Sequence, residues 1–293
     1  MTPDAYCQDR AARSGSSFYY SFMFLPPERR RAITALYAYC REVDDVVDEC
    51  TDRGVARVKL AWWRDEMGRL RAGSPEHPVT RALMPHLEPM QLRIEHLIAV
   101  IDGMAMDLDQ QRYLDFEALR LYCHRVAGVV GIMSASIFGF SRPETLGYAE
   151  RLGLAFQLTN IIRDVGEDAR NGRIYLPLAD LRQHGVHEQD LLRGRSSPEF
   201  VALMRAQADR ARTVYREALS MLPDEDRATQ RPGLIMASIY STLLEEIERD
   251  GFRTLTHRTS LTPIRKLWLA WRTWRRPHLS IERPDRGTGV TRS

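Results

Sequence analysis

Two stretches of this 293-residue chain carry carboxylates at a spacing that could do chemistry. In Tyr-Ala-Tyr-Cys-Arg-Glu-Val-Asp-Asp-Val-Val-Asp, the residues Tyr37, Arg41, Asp44 and Asp48 fall four, three and four apart, which on a helix stacks them along one face. Leu36, Cys40, Val43 and Val47 make the neighbouring apolar stripe, so the carboxylate face borders a core, with Asp45 on its flank. Gln-Leu-Thr-Asn-Ile-Ile-Arg-Asp-Val-Gly-Glu-Asp repeats the design, with Gln157, Asn160, Asp164 and Asp168 three, four and four apart. Leu154, Leu158, Ile161, Ile162 and Val165 make the rest of that helix apolar. Such a helix belongs inside a bundle, its polar stripe turned into a cavity.

Carboxylates facing one another in a water-poor cavity repel and lose hydration, so positive charge must be supplied. Ion pairs to Arg41 and Arg163 supply part of it. Carboxylate and amide oxygens suit a hard ion such as Mg²⁺, which normally keeps coordination positions for water and substrate phosphate oxygens. The two D-x-x-x-D stripes therefore point to a diphosphate held between metal ions, with arginines taking the remaining charge. One such stripe arises by chance on a solvated helix. Two, each on an apolar helix with Arg and an amide or Tyr in phase, favour the functional reading.

The elements that position these stripes read as helices throughout. Pro26-Pro27 opens a helix with Glu28 in its first turn, running to about Cys50. Helical periodicity predicts further helices over 55–72, 91–107, 115–139, 144–170, 197–221, 232–250 and 263–275. Gly73-Ser74-Pro75, Ser141-Arg142-Pro143, Asn171-Gly172 and the run from Pro223 to Gly233 supply the breaks. The expected fold is all-α: one large helical bundle around a central active-site cavity, formed by residues 1–280. The polar tail 281–293 is expected to be disordered.

With 44% hydrophobic and 28% charged residues the composition is that of an ordinary globular protein, and a net charge of +3 argues for no nucleic-acid partner. Cys7, Cys40, Cys50 and Cys123 form no C-x-x-C pair and have no zinc-like spacing with histidine. A polar opening, MTPDAYCQDR, and no apolar run near the roughly 20 residues of a membrane span lead us to expect a cytoplasmic protein, soluble or peripheral on the inner membrane face. His124 has no sequence companion that suggests metal or triad chemistry.

These motifs resemble the squalene/phytoene synthase family of head-to-head prenyl transferases, over about residues 4–275. The resemblance rests on Ser-Gly-Ser-Ser-Phe-Tyr-Tyr-Ser-Phe (14–22), on the two aspartate stretches, on Tyr-Cys-His-Arg-Val-Ala-Gly-Val-Val-Gly (122–131), and on the continuation of the second stretch to Ile-Tyr-Leu-Pro (174–177). It implies a bundle of the isoprenoid synthase type, in which Asp44, Asp48, Asp164 and Asp168, with Asn160, hold Mg²⁺–diphosphate clusters. Arg41 and Arg163 would pair with phosphates and Gln157 would line the channel. Tyr37, Tyr122, Tyr175 and Tyr240 match pocket tyrosines, and Ser17, Phe18 and Phe22 lie where the first substrate binds. Tyr122 joins the four aspartates as a catalytic candidate. Phe18, Phe22, Tyr37, Tyr122 and Phe156 are candidate wall residues whose π faces favour a cation, although packing explains Phe156 better. The proton lost in the reaction has two candidate acceptors, the released diphosphate and a tyrosine hydroxyl. Gly128 and Gly131 make room beside a helix backbone, for a prenyl chain or for a packed helix. Ser14-Gly15-Ser16 replaces a basic or imidazole residue found in some members.

Leu-Ala-Trp-Trp-Arg-Asp-Glu-Met (60–67), His-Pro-Val-Thr-Arg-Ala-Leu (77–83) and Ile-Asp-Gly-Met-Ala-Met-Asp-Leu-Asp (101–109) are similar to bacterial presqualene diphosphate synthases of hopanoid biosynthesis. The implied reaction joins two farnesyl diphosphates into presqualene diphosphate, which a separate reductase would consume. Alternatives are a phytoene synthase using two geranylgeranyl diphosphates, a complete NADPH-dependent squalene synthase, a terpene cyclase and, more remotely, a non-catalytic scaffold. From Gly251 to Ile281 there is no acidic residue, while Arg253, Arg258, Arg265, Lys266, Arg272, Arg275 and Arg276 are basic. With Leu267, Trp268, Trp271 and Trp274, the 263–276 segment is a candidate for peripheral contact with anionic lipid, or a terminal bundle helix.

Overall fold

The computed structural model describes residues 1–13, 21–50 and 52–275. Ser17, Phe18, the 14–16 segment and the 281–293 tail lie outside the described residues. The chain is all-α as expected; the described residues hold no β-strand, only a parallel bridge between Arg112 and Ile174. The helices are α1 (Pro3–Arg13), α2 (Pro27–Asp48), α3 (Arg53–Arg71), α4 (Pro78–Leu83), α5 (Ile94–Asp109), α6 (Phe116–Cys123) and α7 (Val129–Phe138). They continue with α8 (Glu144–Arg170), α9 (Leu178–Gln183), α10 (Glu188–Leu192), α11 (Pro198–Met221), α12 (Arg231–Arg249) and α13 (Pro263–Arg275).

The long helices lie within a few residues of where periodicity places them, because their apolar stripes are unbroken. Two local devices fix the ends of others: Asp52 caps α3 by accepting from the amides of Gly54 and Val55, and Ser197 caps α11 by accepting from Phe200 N at 3.2 Å. Helix α1 was not expected. Its opening is polar, but Cys7 and Ala11 pack on α2, and Arg10 pairs with Glu42 and Asp45.

Two apolar cores form. One gathers α2, α3, α4, α5 and α7 around Leu36, Tyr39, Trp63, Met67 and Ile101. The other gathers α8, α11, α12 and α13 around Leu158, Ile162, Tyr215, Leu244 and Phe252. Helix α7 bridges them by packing on α8. At that seam the backbones nearly touch: a Cβ on Gly131 would stand 2.2 Å from the Ala149 carbonyl oxygen, and one on Gly153 would stand 2.4 Å from that of Ala127. Gly131 therefore serves close helix packing, and a Cβ on Gly128 would meet His124 and Glu150 side chains. Neither makes room for a prenyl chain.

One expectation is corrected here. Phe116–Phe138, with a π turn at His124–Gly128 joining α6 to α7, is long and apolar enough by length and composition to cross a membrane. Single polar residues hide that in a reading of uninterrupted runs. In the fold this helix packs against α5 and α8. His124 Nδ1 lies 2.8 Å from Glu150 Oε1, a pair of part-exposed side chains.

Candidate active site

The carboxylate stripes of α2 and α8 line one cavity of about 1050 Å³. Tyr37, Arg41, Asp44 and Asp48 enter it from α2, and Gln157, Asn160, Arg163, Asp164 and Asp168 from α8. Tyr122, Tyr175 and Tyr240 line it as well. The bridge between Arg112 and Ile174, with Ile174 N donating to Gln111 O at 3.1 Å, carries Tyr175 to the wall. Met104, Leu108, Val126, Ile161, Ile239 and Leu243 form apolar lining. Phe22 instead is buried in the core around α2, and Phe156 packs 4.9 Å from the Tyr240 ring; neither is among the lining residues. A second cleft, of about 720 Å³ beside Arg93, His96 and Phe140, shares no residue with this cavity.

Charge is unevenly compensated among the carboxylates. Burial pushes Asp44 up to about 7; Asp48 adds repulsion, and Arg41 offsets part of it from 2.7 Å. Burial likewise pushes Asp168 up to about 8, with Asp164 adding and Arg173 subtracting. For Asp164, burial is outweighed by Arg163 and by Arg258, whose Nε donates at 2.8 Å, so this carboxyl sits below its ordinary value. Asp48 accepts from Arg173 at 3.0 Å. Asp44 and Asp168 are thus the groups that most need added positive charge.

The donor set fits a hard divalent ion. Besides these carboxylates, the buried Asn160 Oδ1 has no hydrogen-bond partner, while its Nδ2 donates weakly to Gln157 at 3.4 Å. An unpartnered amide oxygen beside uncompensated carboxylates is a ligand set short of a cation. Among the described residues no three carboxylate, His or Cys groups converge on one point, so a bound ion would need oxygens from water or phosphate as well.

Several lining residues were not singled out from sequence. Asp107 on α5 accepts from Tyr122 O–H at 2.9 Å and from Tyr175 O–H at 2.7 Å. Arg173, Arg258 and Lys266 add basic groups, and burial together with Arg163 and Arg258 pulls Lys266 below its ordinary value. Arg163 is also hydrogen-bonded to Tyr240. Asp107 does carry a signal: it is a buried acid in phase with Val100 and Met104 on an otherwise apolar helix face. Arg258 and Lys266 show in sequence only as members of the basic run 251–281, with nothing there to place them at the cavity.

Helix α13 docks through Leu269, Ala270 and Thr273, with Trp274 stacked 4.7 Å from Phe24. It leaves Ile264, Leu267, Trp268 and Trp271 exposed on one face, with Arg272 and Arg275 over the Trp268 and Trp271 rings.

The comparisons with known proteins agree with this fold. A dehydrosqualene synthase solved in complex with ligand superposes with a TM-score of 0.82 at 28% identity, covering 92% of this chain and 94% of its own. Squalene synthase HpnC from Alicyclobacillus acidocaldarius superposes at 0.74 and 29% identity, covering 85% and 94%. The 15-cis-phytoene synthase of Synechocystis is 36% identical over 90% of this chain and 83% of its own length. The chloroplastic phytoene synthase of Narcissus pseudonarcissus is 36% identical over 91% of this chain, which spans 65% of that protein. The squalene/phytoene synthase family model matches residues 11–265, and the chain belongs to that family of isoprenoid biosynthesis.

Proposed function

We propose that residues 1–280 form one Mg²⁺-dependent prenyl transferase domain that joins two farnesyl diphosphates head to head into presqualene diphosphate and diphosphate, feeding squalene and hopanoid synthesis. The observation that carries this reading is the pair of carboxylate stripes, from two helices, facing one cavity that basic side chains also line. In it, Asp44, Asp48, Asn160, Asp164 and Asp168 would hold the ions, which when bound would supply positive charge to the departing diphosphate.

The chain's own residues do the rest. Arg41, Arg163, Arg258 and Lys266 orient diphosphate oxygens, and their pull strengthens as the allylic C–O bond breaks and charge gathers on the leaving group. Met104, Leu108, Val126 and Ile161 hold the prenyl chains and exclude water from the cation. The cation then adds to the double bond of the second substrate, and proton loss closes a cyclopropane that keeps its own diphosphate.

A second reading, phytoene from two geranylgeranyl diphosphates, is favoured by the names of the sequence relatives. Purified protein with Mg²⁺ and farnesyl diphosphate, with and without NADPH, separates these by mass spectrometry. Presqualene diphosphate under both conditions supports the proposal and calls for a separate reductase. Squalene only with NADPH makes it a complete squalene synthase. Phytoene from geranylgeranyl diphosphate alone moves it to the second reading, and no product from either substrate leaves a non-catalytic scaffold. We also propose that the exposed face of α13 rests on anionic lipid.

A further inference from the structure

The mechanism above leaves the Asp107 carboxyl without a task, although it lines the cavity and is only 6% exposed. Each of its oxygens is taken by a different phenol, Oδ2 by Tyr122 at 2.9 Å and Oδ1 by Tyr175 at 2.7 Å. Three separate parts of the chain converge to make this pair of bonds: α5, the last turn of α6 before the π turn, and the segment after α8. The two rings stack with centroids 5.2 Å apart, and their oxygens lie 3.5 Å apart, too far for a bond between them to compete.

A phenol has one proton and a carboxylate has none to give. With both phenolic protons committed to Asp107, each phenol oxygen has only lone pairs left to present to the cavity that both line. Burial, reinforced by the Asp107 charge, holds both hydroxyls well above their ordinary range, so neither becomes a phenolate that a prenyl cation would alkylate. Burial pushes Asp107 up to about 6, while the Tyr175 bond, the Arg173 charge and the Tyr122 bond favour its ionised form.

We propose that Asp107 is a positioning residue that turns both hydroxyl protons away from the cavity, making Tyr122 and Tyr175 an acceptor-only wall. Given the prenyl diphosphate chemistry proposed above, on which this role rests, such a wall favours positive charge on bound hydrocarbon. It also offers no hydrogen to a diphosphate, so the anion is left to Arg41, Arg163, Arg258 and Lys266.

Asp107→Asn keeps the side chain's shape but reverses one partner. The amide nitrogen must donate to a phenol oxygen, and that phenol's proton swings out. With farnesyl diphosphate and Mg²⁺ the expected result is a kcat about 100-fold lower with KM changed by less than about threefold. Prenyl alcohol, the water-quenched product, rises from a trace to a major share. Tyr175→Phe, which leaves the Asp107–Tyr122 bond in place, raises the alcohol share as well and keeps the test open if Asp107→Asn does not fold.

A substrate-free readout runs in parallel. The phenol C–O band of Tyr122, taken as the infrared difference between wild type and Tyr122→Phe in labelled-tyrosine protein, has the donor-only form and shifts in Asp107→Asn. Unchanged kcat and products with an unmoved band overturn the proposal, and so does a loss confined to KM. Wild type inactive on every prenyl diphosphate, with the band behaving as expected, leaves the hydroxyl orientation standing and removes the function proposed above.

Discussion

At the scale of single residues, the candidate site is a set of charges that do not balance. Asp168 is pushed up to about 8 by burial and by Asp164, whereas Asp164 is matched by Arg163 and Arg258. Relieving the unmatched group should therefore stabilise the fold while removing function. Asp168→Asn is expected to melt later than wild type without Mg²⁺, by about 1 kcal/mol, and to lose at least about 100-fold in kcat; calorimetry and the product assay read the two effects. Asp226 shows the opposite balance. Burial would raise it, but Ser141 Oγ, Thr145 Oγ1 and the amides of Ser141 and Arg142 all donate to it and hold it below its ordinary value. Because the folded value is the lower one, its contribution is present above about pH 4 and is lost as pH falls through the folded value. Asp226→Asn should cost about 2 kcal/mol at pH 7 and progressively less in acid, measured by denaturation across pH. The two aspartate stripes were legible because four side chains on one helix face leave a periodic trace. Asp107 shows in sequence only as an acid in phase with an apolar face, and no spacing records that it meets Arg173, Arg258 and Lys266 at the same cavity.

At the scale of elements, long helices were legible to within a few residues and short ones were not. Helices α4, α9 and α10 span six, six and five residues, too few turns for a periodic stripe. The π turn was also invisible, since a widened turn changes hydrogen bonding and leaves composition untouched. It begins two residues after Tyr122 and includes Val126, both on the cavity wall. The seam between α7 and α8 depends on glycine. Gly131→Ala places a methyl 2.2 Å from a carbonyl oxygen that cannot swing aside, and is expected to destabilise by about 2–3 kcal/mol. A melting temperature unchanged from wild type would contradict the close approach of the two backbones.

At the scale of the whole molecule, sequence pattern gave the fold class but not the division into two cores, which is a matter of tertiary contact. Nor did it decide which tryptophans of α13 face inward. Trp274 does, and Trp268 and Trp271, each about half exposed, do not. An aromatic face with guanidiniums laid over its rings suits an interface of headgroups and acyl chains. Co-sedimentation with phosphatidylglycerol vesicles should therefore exceed that with phosphatidylcholine, weaken in high salt, and fall several-fold in a Trp268→Ala, Trp271→Ala double variant. Equal recovery of wild type and double variant would leave α13 as a bundle helix only.

The placement of the cavity has a mechanical consequence. Asp44 and Asp48 belong to a helix of one core, Asp164 and Asp168 to a helix of the other, and α7 spans the seam. Arg173, which follows α8, already ties the two sides through Asp48 of α2 at 3.0 Å, and positive charge placed between the two stripes would draw them tighter. The free protein should accordingly breathe at the seam, with amides of α2 and α8 exchanging faster than those deeper in either core. Mg²⁺ with inorganic diphosphate should slow both helices together, reporting the two cores as one cooperative unit held by a ligand.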